Sequence, residues 1–79
     1  MSVKSEIKGT IGKTITGILV AENPRLPKRQ LFLVFADGTY YELYSSTGDL
    51  HGAGGVDQGD IAKAVGYASK FGGEITRYE

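Results

Sequence analysis

Cysteine is absent from the 79 residues of the chain. Its absence excludes disulfides, thiolate metal sites and a cysteine nucleophile. It also argues against a secreted protein, because small secreted domains usually depend on disulfides. Histidine occurs once, at His51, and one imidazole without thiolates does not make a zinc site of the usual kind from one chain. Long apolar runs are missing too. Ile18–Ala21 is far too short for a signal-peptide core, and no stretch approaches the ~20 residues a membrane-spanning helix needs. The chain opens at Met1 with a polar segment, and the expectation is a cytoplasmic protein that makes no use of a membrane. Proline is scarce, with Pro24 and Pro27 the only two.

Net charge is also lacking, since nine basic residues balance nine acidic ones. The balance hides an asymmetry. Residues 1–36 carry six basic and two acidic side chains, and residues 37–79 carry three basic and seven acidic. Such asymmetry fits either a basic ligand-binding face or two halves that attract one another within one fold. The second reading is favoured, because strong non-specific binders of nucleic acid carry a net positive charge.

Short length makes one domain, residues 1–79, and commits nearly every large apolar residue to packing. Val3, Ser5 and Ile7 alternate with Lys4, Glu6 and Lys8, the period of an edge strand. Thr14, Ile15, Thr16, Ile18 and Val20 enrich Lys13–Glu22 in β-branched residues. Gly17 interrupts that run and marks a bulge, a bend or a close backbone approach; a bulge would bring Ile15, Ile18 and Val20 to one face. Asn23–Lys28 reads as a turn. Gln30–Ala36 and Thr39–Ser45 read as strands joined at Asp37-Gly38, the pair that favours a two-residue hairpin turn. Ser46–Gly55 reads as a glycine-rich loop. Asp57 is the expected helix N-cap, with Asp60 in the first turn. Ile61, Ala64, Val65, Ala68 and Phe71 then mark one apolar stripe. Gly72-Gly73 stops the helix, and Glu74–Tyr78 forms a closing strand. The expected fold is α+β: an antiparallel four-stranded β-meander, one helix and a short C-terminal strand, ββββαβ, either open or curled into a partial barrel.

A two-residue turn at Asp37-Gly38 pairs Phe35 with Tyr40, Val34 with Tyr41, Leu33 with Glu42, Phe32 with Leu43 and Leu31 with Tyr44. One face then holds Phe32, Val34, Tyr41 and Leu43. The other holds Leu31, Leu33, Phe35, Tyr40 and Tyr44 around a lone charge, Glu42. Both faces are apolar, and one helix covers only one of them. The second face must curl inward, meet another copy or bind a ligand. Leu31, Leu33, Phe35, Tyr40 and Tyr44 are therefore the candidate interface.

Motifs for chemistry are weak. In His51–Asp60, Gly54 and Gly59 have phosphate-loop spacing, but Asp60 and Ile61 stand where Lys and Ser or Thr are needed. Asp57 replaces the third glycine of a dinucleotide fingerprint, and two acids at a helix start repel phosphate. Asp49, Asp57 and Asp60 do not match a calcium loop. No serine elbow or paired acid accompanies His51. The expectation is a non-catalytic protein without cofactor or metal, acting through protein–protein contact, most simply with itself. Two alternatives remain. Arg25, Lys28 and Arg29 form the one basic cluster, which could hold nucleic-acid phosphates while bases stack on Tyr40 or Tyr44. The 46–55 loop could serve a small-molecule binder or enzyme subunit.

Overall fold

The β-branched and aromatic runs form strands of one antiparallel sheet. In the computed structural model, which describes residues 7–79 with the side chain of Ser46 apart, these are β1 (Ile15–Glu22), β2 (Arg29–Phe35) and β3 (Thr39–Ser46). Two short strands follow, β4 (Asp49–Gly52) and β5 (Asp57–Gln58), then helix α1 (Ile61–Ala68) and β6 (Glu74–Tyr78). The strand order is β4-β3-β2-β1-β6, with β5 also paired to β3. The fold is the expected α+β arrangement, and the sheet is open rather than closed into a barrel.

Two elements differ from expectation. The strand expected at Val3–Lys8 lies partly outside the described residues, and Ile7–Thr10 is a 3-10 turn. Thr10 donates its hydroxyl to the Ile7 carbonyl at 2.7 Å, a local bond that competes with strand pairing. The fourth strand of the meander comes instead from the glycine-rich segment. Asp49–Gly52 folds back on Leu43–Ser46 through a turn in which Gly48 adopts φ 92°.

The β2–β3 hairpin departs from expectation in register. Val34 pairs with Tyr40, Leu33 with Tyr41, Phe32 with Glu42, Leu31 with Leu43 and Gln30 with Tyr44. Its loop is Ala36–Gly38, with Gly38 N–H bonded to the Phe35 carbonyl at 3.3 Å and Gly38 at φ 81°. A two-residue type I′ turn needs positive φ at both central positions, and Asp37 does not adopt it. Its carboxylate instead accepts from the backbone N–H and hydroxyl of Thr39 and from the Lys13 ammonium. The one-residue slip sends every β3 side chain to the face opposite the expected one.

Gly17 bulges as expected. Ile15 pairs with Phe35 and Gly17 with Val34, leaving Thr16 as the extra residue. Ile15, Ile18 and Val20 consequently share a face. The helix start also comes close here: a Cβ on Gly17 would lie 3.0 Å from Ile61 Cδ1.

The core lies between α1 and one sheet face. Leu19 and Ala21 of β1, Phe32 and Val34 of β2, and Tyr40 of β3 pack against Ala64 and Ala68, with Ile61, Val65 and Ile75 at the margin. Four members of the expected helical stripe pack here and its two buried alanines let the helix sit close to the sheet, while Phe71 falls in the 3-10 extension Ser69–Phe71 outside this cluster. The N-cap is Asp60 rather than Asp57: its side chain accepts from Lys63 N–H at 3.1 Å. Asp57 is taken up by β5, opposite Tyr40. Gly72, at φ 76°, ends the 3-10 extension Ser69–Phe71.

Candidate functional site

Pairing defines the face away from the helix. It carries Ile18 and Val20 from β1, Leu31, Leu33 and Phe35 from β2, Tyr41 and Leu43 from β3, Leu50 from β4, and Thr76 and Tyr78 from β6. One end of it is closed by the chain itself. Tyr41 is fully buried and donates its hydroxyl to the Ala53 carbonyl at 3.0 Å. The Lys13 ammonium lies 5.7 Å from the centroid of the Phe35 ring and pairs with Asp37, joining the basic and acidic halves. Gly9 rests against Val56, with room for a Cβ only at 3.3 Å from its Cγ2.

The other end is open. Val20, Leu31 and Leu43 are half-buried, and Leu50 is 63% exposed. Together with Arg29 and Ser45 they line a depression of about 440 Å³. Tyr78, 57% exposed, lies on the same face at the β6 edge, paired with Ile18. Cross-strand pairing sets Arg29 opposite Glu22, and Glu22 opposite Glu74, so the rim of the patch carries both signs of charge.

The five candidate interface residues are thus divided. Leu31, Leu33 and Phe35 lie on the face away from the helix, with Phe35 under the closed end. Tyr40 and Tyr44 lie on the helix face, Tyr40 in the core and Tyr44 stacked on His51 at 5.3 Å between centroids and 22° between planes. Ile18, Val20, Leu43 and Leu50 belong to the open patch and were not among the expected five. The hairpin register is the signal for Leu43, which a three-residue loop at Ala36–Gly38 puts beside Leu31; Ile18 and Val20 follow from the Gly17 bulge, and Leu50 belongs to a segment read as loop.

The basic cluster is spread by the loop that carries it. Arg25 and Lys28 are exposed, and the Lys28 ammonium turns back on the Pro24 carbonyl at 3.0 Å. Arg29 belongs to the rim of the open patch, on the face opposite both Tyr40 and Tyr44. Asn23 clasps the loop, donating its side-chain amide to the Pro27 carbonyl at 2.7 Å while its backbone N–H bonds the Lys28 carbonyl at 2.8 Å. Asp49, Asp57 and Asp60 fall in three separate elements, and no helix among the described residues is long and apolar enough to cross a membrane. No protein-family model, curated protein or solved structure matches the chain.

Proposed function

We propose that this is a small, non-catalytic cytoplasmic protein that works through protein–protein contact, pairing with a second copy of itself through the open end of the sheet. The supporting observation is the apolar depression of Val20, Leu31, Leu43 and Leu50 on the face that α1 does not cover. Soluble chains rarely leave such a patch in water. Three features favour a second copy as the cover. The molecule is a slab of 32 × 27 × 16 Å, so the open end lies on one of its two broad faces, where two copies can meet flat against each other. The rim offers Arg29 together with Glu22 and Glu74, so a twofold arrangement can set opposite charges across it. A net charge of zero leaves no overall repulsion between copies.

Light scattering or sedimentation reads the outcome. Twice the chain mass is expected at about 100 μM, a range that modest interfaces of standard size reach. Leu50→Glu places a charge in the patch at a side chain too exposed to matter for the core. It should weaken association by at least about tenfold while leaving the circular dichroism spectrum unchanged, since a buried unpaired charge costs several kcal/mol. A wild-type chain that stays monomeric at about 1 mM, where a millimolar Kd would already show, overturns the reading.

A further inference from the structure

On the helix side, the register that turns Tyr40 and Tyr44 away from the open patch also turns Glu42 inward. Glu42 is 7% exposed. Its Oε2 accepts from Gln30 Nε2 at 2.8 Å, and Gln30 Oε1 in turn accepts from Asn23 Nδ2 at 2.8 Å. Among the described residues no cation pairs with this carboxylate. A buried carboxylate without a counter-ion is costly, and an apolar side chain of similar size would pack there at less expense.

Glu42 is not sealed in. It forms part of the wall of an open pocket of about 270 Å³, together with Pro27, Tyr44, Tyr67 and Phe71. Tyr67 and Phe71 stand edge to face, 5.5 Å apart and at 76°, as two adjoining walls of a box. Tyr44, held against His51, gives a third aromatic wall, and Pro27 adds an apolar side. The chain already uses one of these rings for a cation: the Lys70 ammonium lies 5.8 Å from the Tyr67 centroid, in the neighbouring pocket with Lys63.

We propose that the Glu42 pocket binds an alkylated ammonium group, a protonated secondary or tertiary amine. Aromatic faces attract a cation and accommodate its methyl groups, but they accept few hydrogen bonds. The carboxylate is the strong acceptor among the residues forming the pocket, and one of its oxygens is already engaged by Gln30. A bare ammonium or guanidinium would bring more N–H groups than the box can satisfy, and unsatisfied donors cost binding. An amine with one or two N–H groups directs them to Glu42 and lays its alkyl groups on the rings, gaining a charge-assisted hydrogen bond. Such a group arrives either on a small molecule or on a methylated lysine side chain.

The test is a titration of the full chain followed by the ring resonances of Tyr44, Tyr67 and Phe71. N,N-dimethylethanolamine, choline and 3,3-dimethylbutan-1-ol share a shape and differ in N–H and charge. The tertiary amine should give saturable shifts, choline should bind several-fold more weakly, and the neutral alcohol should give none at about ten times the concentration. A peptide bearing dimethyllysine separates the sources: binding about tenfold tighter than the free amine assigns the pocket to a protein ligand, and equal binding assigns it to a small molecule. Glu42→Gln keeps the shape and the bond from Gln30, and Tyr67→Leu removes a half-exposed wall. Each should weaken the tertiary amine at least about tenfold with the fold intact. Absence of saturable shifts with the amine or the peptide overturns the proposal. So does a Glu42→Gln chain that binds the amine as well as the wild type.

Discussion

Glu42 shows how a single side chain records a conflict between stability and another demand. Burial pushes its pKa above the ordinary value near 4.5, and the negative charge of Asp57 adds to the effect, while the hydrogen bond from Gln30 works against it. A carboxyl whose folded pKa is raised binds its proton more tightly in the native state than in the unfolded chain. The native state is therefore penalised as pH rises through that window, and the penalty is relieved as pH falls. The groups facing Glu42 sharpen the expectation, because burial raises the pKa of Tyr40 and Tyr67, which stay neutral through the window, and Asp57 is the nearby acid. Glu42→Gln, which cannot ionise, should gain melting temperature relative to the wild type as pH rises from about 4 to about 7, and the two should vary in parallel below that. A wild-type chain that gains on the variant over the same range would mean that the carboxylate is stabilised in place. Asp37 behaves oppositely, its pKa lowered by the Lys13 ammonium and then by Thr39. Neither behaviour was legible in the residue string. Glu42 reads there as a lone charge on an otherwise apolar sheet face, and only the pairing with Phe32 and the amide of Gln30 reveal its surroundings.

Among the elements, the sequence signals succeeded where the pattern was local and failed where a count mattered. The bulge at Gly17, the helical stripe from Ile61 to Ala68, the stop at Gly72 and the closing strand are each written in a few neighbouring residues, and each is present. The hairpin was legible as a hairpin, but its loop length was not. Asp37-Gly38 serves a two-residue turn and also a three-residue loop ending in a left-handed glycine. The choice is made by contacts from Thr39 and from Lys13, 24 positions away. That one residue decides which aromatics meet the helix and which aliphatics lie on the face away from it. The N-cap shows the same limit, since Asp57 and Asp60 are equally good caps and β5 claims the first. The helix-to-β6 junction carries a sharper requirement. A Cβ on Gly73 would overlap the Glu22 carbonyl oxygen and Asn23 Oδ1, both held where β1 ends and the clasped loop begins. Gly73→Ala should therefore cost about 1–3 kcal/mol, as other overpacked sites do. In a domain of this size that lowers the melting temperature by roughly 5–20 °C. Gly54→Ala, in open space, is the control and should move it little. Equal melting temperatures for the two variants would show that the junction yields without cost.

At the scale of the molecule, one eight-residue helix leaves half of a sheet to be covered by other means. The chain covers part of that half itself, with the Lys13 side chain by the Phe35 ring and Ala53 bonded to the Tyr41 hydroxyl. If a second copy covers the rest, association and folding are linked. Whatever binds only the native state stabilises it by mass action, by about 2.7 kcal/mol when the free partner is a hundredfold above Kd. A small chain has little stability to begin with, so that contribution is a large fraction of the whole. The melting temperature of the wild type should consequently rise by several degrees between about 10 μM and about 1 mM chain. Leu50→Glu should melt at the same temperature across that range and should meet the wild type at its dilute end, because the exposed Leu50 contributes little within one chain. A wild-type transition independent of concentration would mean that the native monomer carries its open leucines without a partner. A variant that melts lower at every concentration would place Leu50 in the fold of the single chain, and the patch would then be a core margin rather than a contact between copies.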